Sequence, residues 1–368
     1  MRTLGQRELN RALLARNLLL QRSPLDVVTA TEHLVGLQAQ EPQEPYVGLF
    51  SRLLDFDPVA ASELLDSRQV VRTLMMRRTI HLLSAADCLG LRALHQPMLE
   101  QRMRSVLRSR LVGVDEADLR DAATPLFEGD PRQLPDAGRA LTDQWPDAAA
   151  RDLGDAISSL VPLLQVPPRG LWREQGPAHN TLITSWLERP IPDVGEPGAV
   201  DAEMLVLRYL RAYGPAATAD IRSWSGLTGL PAAVTSLMPD LVTFRDERGR
   251  LLLDVPDGTL PDPKTPAPPR FLPSFDNAVL GFDDRSRIID DADKGLSIMG
   301  ARYLLVDGRV RATWTTRADT TSTVLVISPL GGLTRAEAGA EVDVEGERLL
   351  EFLTAGSGDH RIEWTSAA

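Results

Sequence analysis

One cysteine, Cys88, in 368 residues leaves no internal disulfide, and only Lys264 and Lys294 are lysines among the 40 basic residues. The five histidines (His33, His81, His95, His179, His360) show no paired spacing suited to a metal, so neither metal nor cofactor is expected. No apolar run approaches the ~20 residues that a membrane helix needs. The opening MRTLGQRELNR lacks the apolar core of a signal peptide. These absences read as a soluble cytoplasmic protein. A formal net charge of −11 argues against a protein that coats nucleic acid indiscriminately, though not against a local basic groove. With 38 arginines, such a groove would be built of planar forks suited to phosphates and base edges; a genome-wide bias towards Arg, Ala and Leu accounts for the total equally well.

What is present centres on Leu34–Tyr46, LVGLQAQEPQEPY, where Gln38 and Gln40 flank one small apolar residue. Leu25, Val28, Ala30, Leu34, Val35 and Leu37 are spaced for one helical face. Pro42 and Pro45 stop that helix. The pair is therefore expected at a helix end, where two amides reach one small ligand or water. A polar surface turn is the plainer alternative.

In chain order, Gln6–Leu20 has helical spacing, and Ser23-Pro24 has the form of an N-cap and first-turn proline. Tyr46–Leu54 and Pro58–Leu65 follow as helices. Val70–Leu83 reads as two strands in which apolar residues alternate with Arg72, Arg77 and Arg78, and helices before a hairpin make a winged-helix pattern. His81 falls in the second strand, where a histidine is ordinarily structural; with Arg77 and Arg78 beside it, a nucleic-acid contact is the alternative carried forward. Ser84–Leu111 returns to helix and contains Arg102, Arg104, Arg108 and Arg110 within nine residues, with no acid between Gln101 and Leu111. A phosphate-facing role competes there with a solvated face.

The helices-then-hairpin order recurs: Asp115–Phe127, Pro135–Trp145 and Ala149–Val161 precede a strand at Leu163–Val166. It recurs again as Asp201–Ala212, Thr218–Trp224 and Pro231–Leu237 before paired strands Leu241–Arg245 and Arg250–Val255. PDGTLPDPKTPAPP holds six prolines in fourteen residues and is a linker. Beyond it, Tyr303–Val306 and Val310–Trp314 flank the hairpin signal Asp307-Gly308-Arg309. Strands at Thr323–Ile327 and Arg361–Thr365 and helices at Leu333–Ala338 and Glu341–Leu353 complete a sheet or small barrel. The expected fold is α+β: three tandem winged-helix modules (1–112, 113–198, 199–256), a linker (257–269) and a β-rich C-terminal domain (270–368).

Tandem winged helices with a C-terminal β domain, and the strings GLQAQEPQEPYVGL, RRTIHLL, YGPAATADIRSWSGL, LPSFDNAVLGFDDRSRI and LLVDGRVRATW, resemble the AlkZ and YcaQ family of winged-helix DNA glycosylases. The resemblance spans nearly the whole chain and implies excision of alkylated purines. The Gln-apolar-Gln form looks like the AlkZ branch, associated with unhooking interstrand crosslinks left by azinomycin-type alkylators and so with antibiotic self-resistance. It carries the catalytic pair onto Gln38 and Gln40; in related branches the second position is aspartate, so Gln40 departs from a general-base mechanism. The implied partner is double-stranded DNA carrying alkylated or crosslinked guanine, met by a monomer through Arg77, Arg78, His81, Arg102, Arg104 and Arg108.

Amides suffice for such a substrate. Glutamine takes no proton at neutral pH, but an N7-alkylated guanine is already cationic and leaves as a neutral base, so no general acid is needed. What remains is to orient a water behind C1′ and to stabilise positive charge on the sugar, tasks worth a few kcal/mol. Glu41 and Glu44, near in sequence, would add negative potential. Two other classes stay open: a winged-helix transcription regulator without catalysis, and a protein-interaction scaffold that suits the acidic net charge.

Overall fold

In the computed structural model, which describes residues 1–318 and 322–365, the glutamine pair does not end a helix. The helix before it is shorter than its apolar spacing suggests, running Val27–His33. Its N-cap is Asp26, whose carboxylate accepts from the Thr29 amide at 2.9 Å, and not Ser23. Val35 and Gly36 then take φ of +54° and +88°, reversing the chain. Glycine is required at the second position, because a Cβ there would stand 2.5 Å from the Leu83 side chain. Past this turn the chain is extended, and Leu37–Gln38 forms a short edge strand antiparallel to Ile80–Ser84.

That strand begins a six-stranded antiparallel sheet. Its spatial order is Leu37–Gln38, Ile80–Ser84, Val70–Leu74, Leu163–Gln165, His179–Leu182 and Arg132–Gln133. The hairpins of the first two units are therefore not separate wings: Arg72 pairs with Gln165 and Thr73 with Leu164 across the expected boundary. His179–Leu182, whose short polar start hides its strand character, is the partner that sequence pattern missed.

The third unit has the expected order, with helices Ala202–Tyr213, Thr218–Ser225 and Leu230–Leu237 before the hairpin Val242–Asp246 and Leu251–Asp254. Thr3–Leu4 adds to that hairpin in parallel. The N-terminal helix Gln6–Arg16 packs with this unit as well. It stops at Arg16 and not Leu20, because the Arg16 guanidinium is held by buried Asp254 at 2.6 and 2.8 Å, Asn17 reaches the Ala212 carbonyl and Leu18 turns to φ +59°.

Residues 256–269 form no helix or strand. The C-terminal unit is an open five-stranded sheet: Arg270–Leu272, Arg302–Val306, Arg309–Ala318, Ser322–Pro329 and Asp359–Trp364. Its last pair is parallel, joined through helix Ala340–Thr354 as a crossover demands. One apolar core runs through all four units, touching Leu13, Met75, Leu164, Tyr209, Trp224, Phe282 and Tyr303. The shared core fixes the first and last units against each other, and the site lies where they meet. Among the described residues no helix is long and apolar enough to cross a membrane.

Candidate active site

The backbone between the two glutamines is tied down from both sides. The Ala39 amide donates to the Ile80 carbonyl at 2.7 Å, and the Ala39 carbonyl accepts from buried Arg72 at 2.8 Å. Gln38 is half-buried, and its Oε1 accepts from Arg77 Nη2 at 2.8 Å. It forms one wall of a slot of about 20 Å³, whose other walls include Glu44, Arg52, Tyr213, Asp276 and Asn277. One water needs roughly 10–15 Å³; this slot is therefore water-sized.

Two buried carboxylates face the slot: Glu44, already singled out beside the glutamines, and Asp276, which the sequence does not mark as a site residue. Glu44, 2% exposed, accepts from Arg302 Nε at 2.9 Å and from the Ser274 amide at 2.5 Å. Asp276 accepts two bonds from Arg52 at 2.8 Å and caps helix Asn277–Leu280 through the Ala278 amide. The neighbouring Phe275 holds φ +60°, an unusual conformation for an aromatic residue. A Ser-Phe-Asp-Asn run directly after an apolar stretch was the available sequence signal. Glu41, by contrast, is exposed.

Gln40 looks elsewhere. It is exposed, its Oε1 accepts weakly from the Ile80 amide at 3.3 Å, and it borders a hollow of about 350 Å³ with Thr73, Arg78, Ile80, Asp155 and Gln165. The two amides line different hollows, contrary to the expectation of one shared ligand. The regular strand ends at Gln38, so the i, i+2 rule that would put both side chains on one face no longer applies.

The expected DNA contacts divide. Arg77 and Arg78 lie in the turn Met76–Arg78 with φ +57° and +62°, and both guanidinia point inward. Arg78 bonds Ser159 Oγ at 2.8 Å and Asp155 at 2.7 Å. Arg77 is held among Gln38, Asn277 and the Trp224 carbonyl. His81 is wholly buried with Nδ1 3.0 Å from the Thr79 carbonyl; burial, reinforced by the Arg77 charge, pushes its pKa down to about 3. A neutral, enclosed ring presents nothing to a phosphate, which corrects the surface contact expected of His81.

Along helix Ala85–Leu107 and just past its end, acids from outside Gln101–Leu111 offset the basic run. Arg104 bonds Glu116 twice at 2.7 Å and Glu100 at 3.1 Å, and Arg110 reaches Asp152 at 3.3 Å. Arg102 and Arg108 are exposed and, among the described residues, not ion-paired. Replacing Arg102 and Arg108 by glutamine is expected to flatten the salt dependence of duplex binding by about one unit of log–log slope per lost contact. Arg104→Gln should change it little. Fluorescence anisotropy titrations across a salt series give these slopes, and an unchanged slope in the double variant would return the helix to a solvated face.

In architecture the chain is an α+β protein of helix-and-hairpin units on shared sheets, with a recessed site between its first unit and its C-terminal unit. The model of the AlkZ-like DNA glycosylases matches residues 31–352, and the chain belongs to that family. Its fold is similar to that of Streptomyces sahachiroi DNA glycosylase AlkZ, with a TM-score of 0.72 over 99% of this chain and 100% of that one, at 19% sequence identity. No curated protein sequence matches the chain.

Proposed function

We propose that this glycosylase-family chain hydrolyses the N-glycosidic bond of N7-alkylated purines in duplex DNA, azinomycin-type interstrand crosslinks among them. Gln38 and Gln40 are its catalytic amides; it acts in the cytoplasm, as a monomer and without a cofactor. The observation that carries the reading is the size of the slot at Gln38: about 20 Å³ admits a water and excludes a purine. The base thus stays outside while the nucleophile is held within, which suits a crosslinked base that cannot rotate freely into a deep pocket.

The water oxygen forms the new bond to C1′, the C1′–N9 electron pair leaves with the base and neutralises its charge, and the water's proton goes to solvent. Gln38 orients that water. The oxygen of Gln40, weakly held at 3.3 Å, is available to the cationic sugar. Glu44 and Asp276, each paired with an arginine, place carboxylate oxygens at the slot.

A glycosylase that also cuts the backbone needs an amine to form a Schiff base with the sugar. Lys264 sits in the proline-rich segment, and Lys294 is exposed beside Asp291 at 3.4 Å. The expected product is therefore free base and an intact abasic strand. Borohydride added during turnover should trap no protein–DNA adduct, and strand breaks should appear only after alkali or heat. An adduct that vanishes in Lys294→Ala would replace this mechanism with a lyase.

A further inference from the structure

Arg77 is a half-buried cation that makes no ion pair among the described residues. Its three hydrogen bonds all go to neutral oxygens: Nη1 to the Trp224 carbonyl at 2.6 Å, and Nη2 to Gln38 Oε1 at 2.8 Å and Asn277 Oδ1 at 3.0 Å. The acceptors come from the third unit, the first unit and the C-terminal unit. Drawing an unpaired charge partly out of water is costly, as is the left-handed backbone at a non-glycine residue, here φ +57°. A simple fastener between units would not need a charge at all. Burial lowers the guanidinium pKa to about 10, so the group stays protonated at neutral pH.

The consequence for Gln38 is directional. An amide is nearly symmetric in shape, and in a small slot either its oxygen or its nitrogen can face inward. A guanidinium has only donors. It therefore takes the oxygen and turns the Gln38 nitrogen away from itself. Asn277 is turned by the same Nη2: its oxygen faces Arg77, which directs its buried Nδ2 towards the Tyr213 hydroxyl at the slot that Gln38 lines.

We infer that Arg77, steadied by Asn277, is a positioning residue for catalysis: it fixes the Gln38 amide with its nitrogen towards the slot. There the amide donates one hydrogen bond to the water oxygen and leaves the second lone pair free for C1′. This assignment rests on the glycosylase reading above and goes beyond it, since it gives Gln38 a donor's role. It also explains why an arginine that reads as a DNA contact in sequence turns its guanidinium inward.

The test is a double-mutant cycle read as single-turnover base release and, separately, as DNA affinity, on duplex carrying N7-methylguanine. Arg77→Gln is expected to slow release about tenfold or more with affinity unchanged, because the lost interaction matters mainly in the transition state. In a Gln38→Ala background the same replacement should change the rate by less than about twofold, since there is no amide left to orient. Asn277→Ala should follow the same pattern with a smaller first step, and it carries the cycle if Arg77→Gln does not fold. Equal losses in both backgrounds, or a loss of affinity, would overturn the positioning role while leaving the glycosylase reading intact. No base release by the unaltered protein would overturn both.

Discussion

Gln38→Ala is expected to slow release of free base by about 10²–10³-fold, the cost of removing one preorganised hydrogen-bonding group from a transition state. DNA affinity should stay nearly unchanged. The side chain is half-buried, its oxygen is fixed at 2.8 Å by Arg77, and it borders a slot that holds little more than one water. Alanine leaves that water without its orienting group and widens the slot. Gln40→Ala should cost less, about tenfold, because an exposed amide with one 3.3 Å hydrogen bond is less preorganised. Single-turnover kinetics beside an equilibrium titration separate rate from binding, and a matching loss of affinity would assign Gln38 to recognition.

The second large effect is on stability. Asp276→Ala should lower the unfolding free energy by about 3–5 kcal/mol, because it strands a buried arginine. Arg52 and Asp276 have side chains only 2% and 3% exposed and share two hydrogen bonds of 2.8 Å. Arg52 also holds the Asn17 and Gly48 carbonyls, so the pair couples the N-terminal unit to the Pro273–Asn277 segment that closes the slot. Against a typical total of roughly 5–15 kcal/mol this is a severe change. Urea denaturation reads it as a fall in midpoint at constant slope; a cost below about 1 kcal/mol would mean that water or a neighbour replaces the lost carboxylate.

Elements set by neighbours in sequence were legible. The Asp307-Gly308 turn joins Arg302–Val306 to Arg309–Ala318, and Pro58, Pro231 and Ser84 mark helix starts where the structure has them. What distant residues decide was not legible. The apolar spacing before Gln38 continues past His33, yet Val35 and Gly36 turn the chain because Leu82 and Leu83 lie against it. The basic run looked uncompensated because Glu116 reaches Arg104 from the next helix. Arg77 reads as a surface group, and the alternative contact for His81 stays open, because strand alternation does not say which face another sheet or helix will cover. The amide motif itself stood out in sequence; the carboxylates that complete its surroundings, Glu44 and Asp276, are 232 residues apart and meet only on folding.

The most direct measurement is chromatographic detection of free N7-methylguanine from a defined duplex incubated with the unaltered protein. The account predicts release that scales with enzyme, needs no metal or cofactor, leaves an intact abasic strand and nearly disappears in Gln38→Ala. A duplex that is bound and shifted on a gel while no base is set free would contradict it and make the chain a DNA-binding regulator on the same fold.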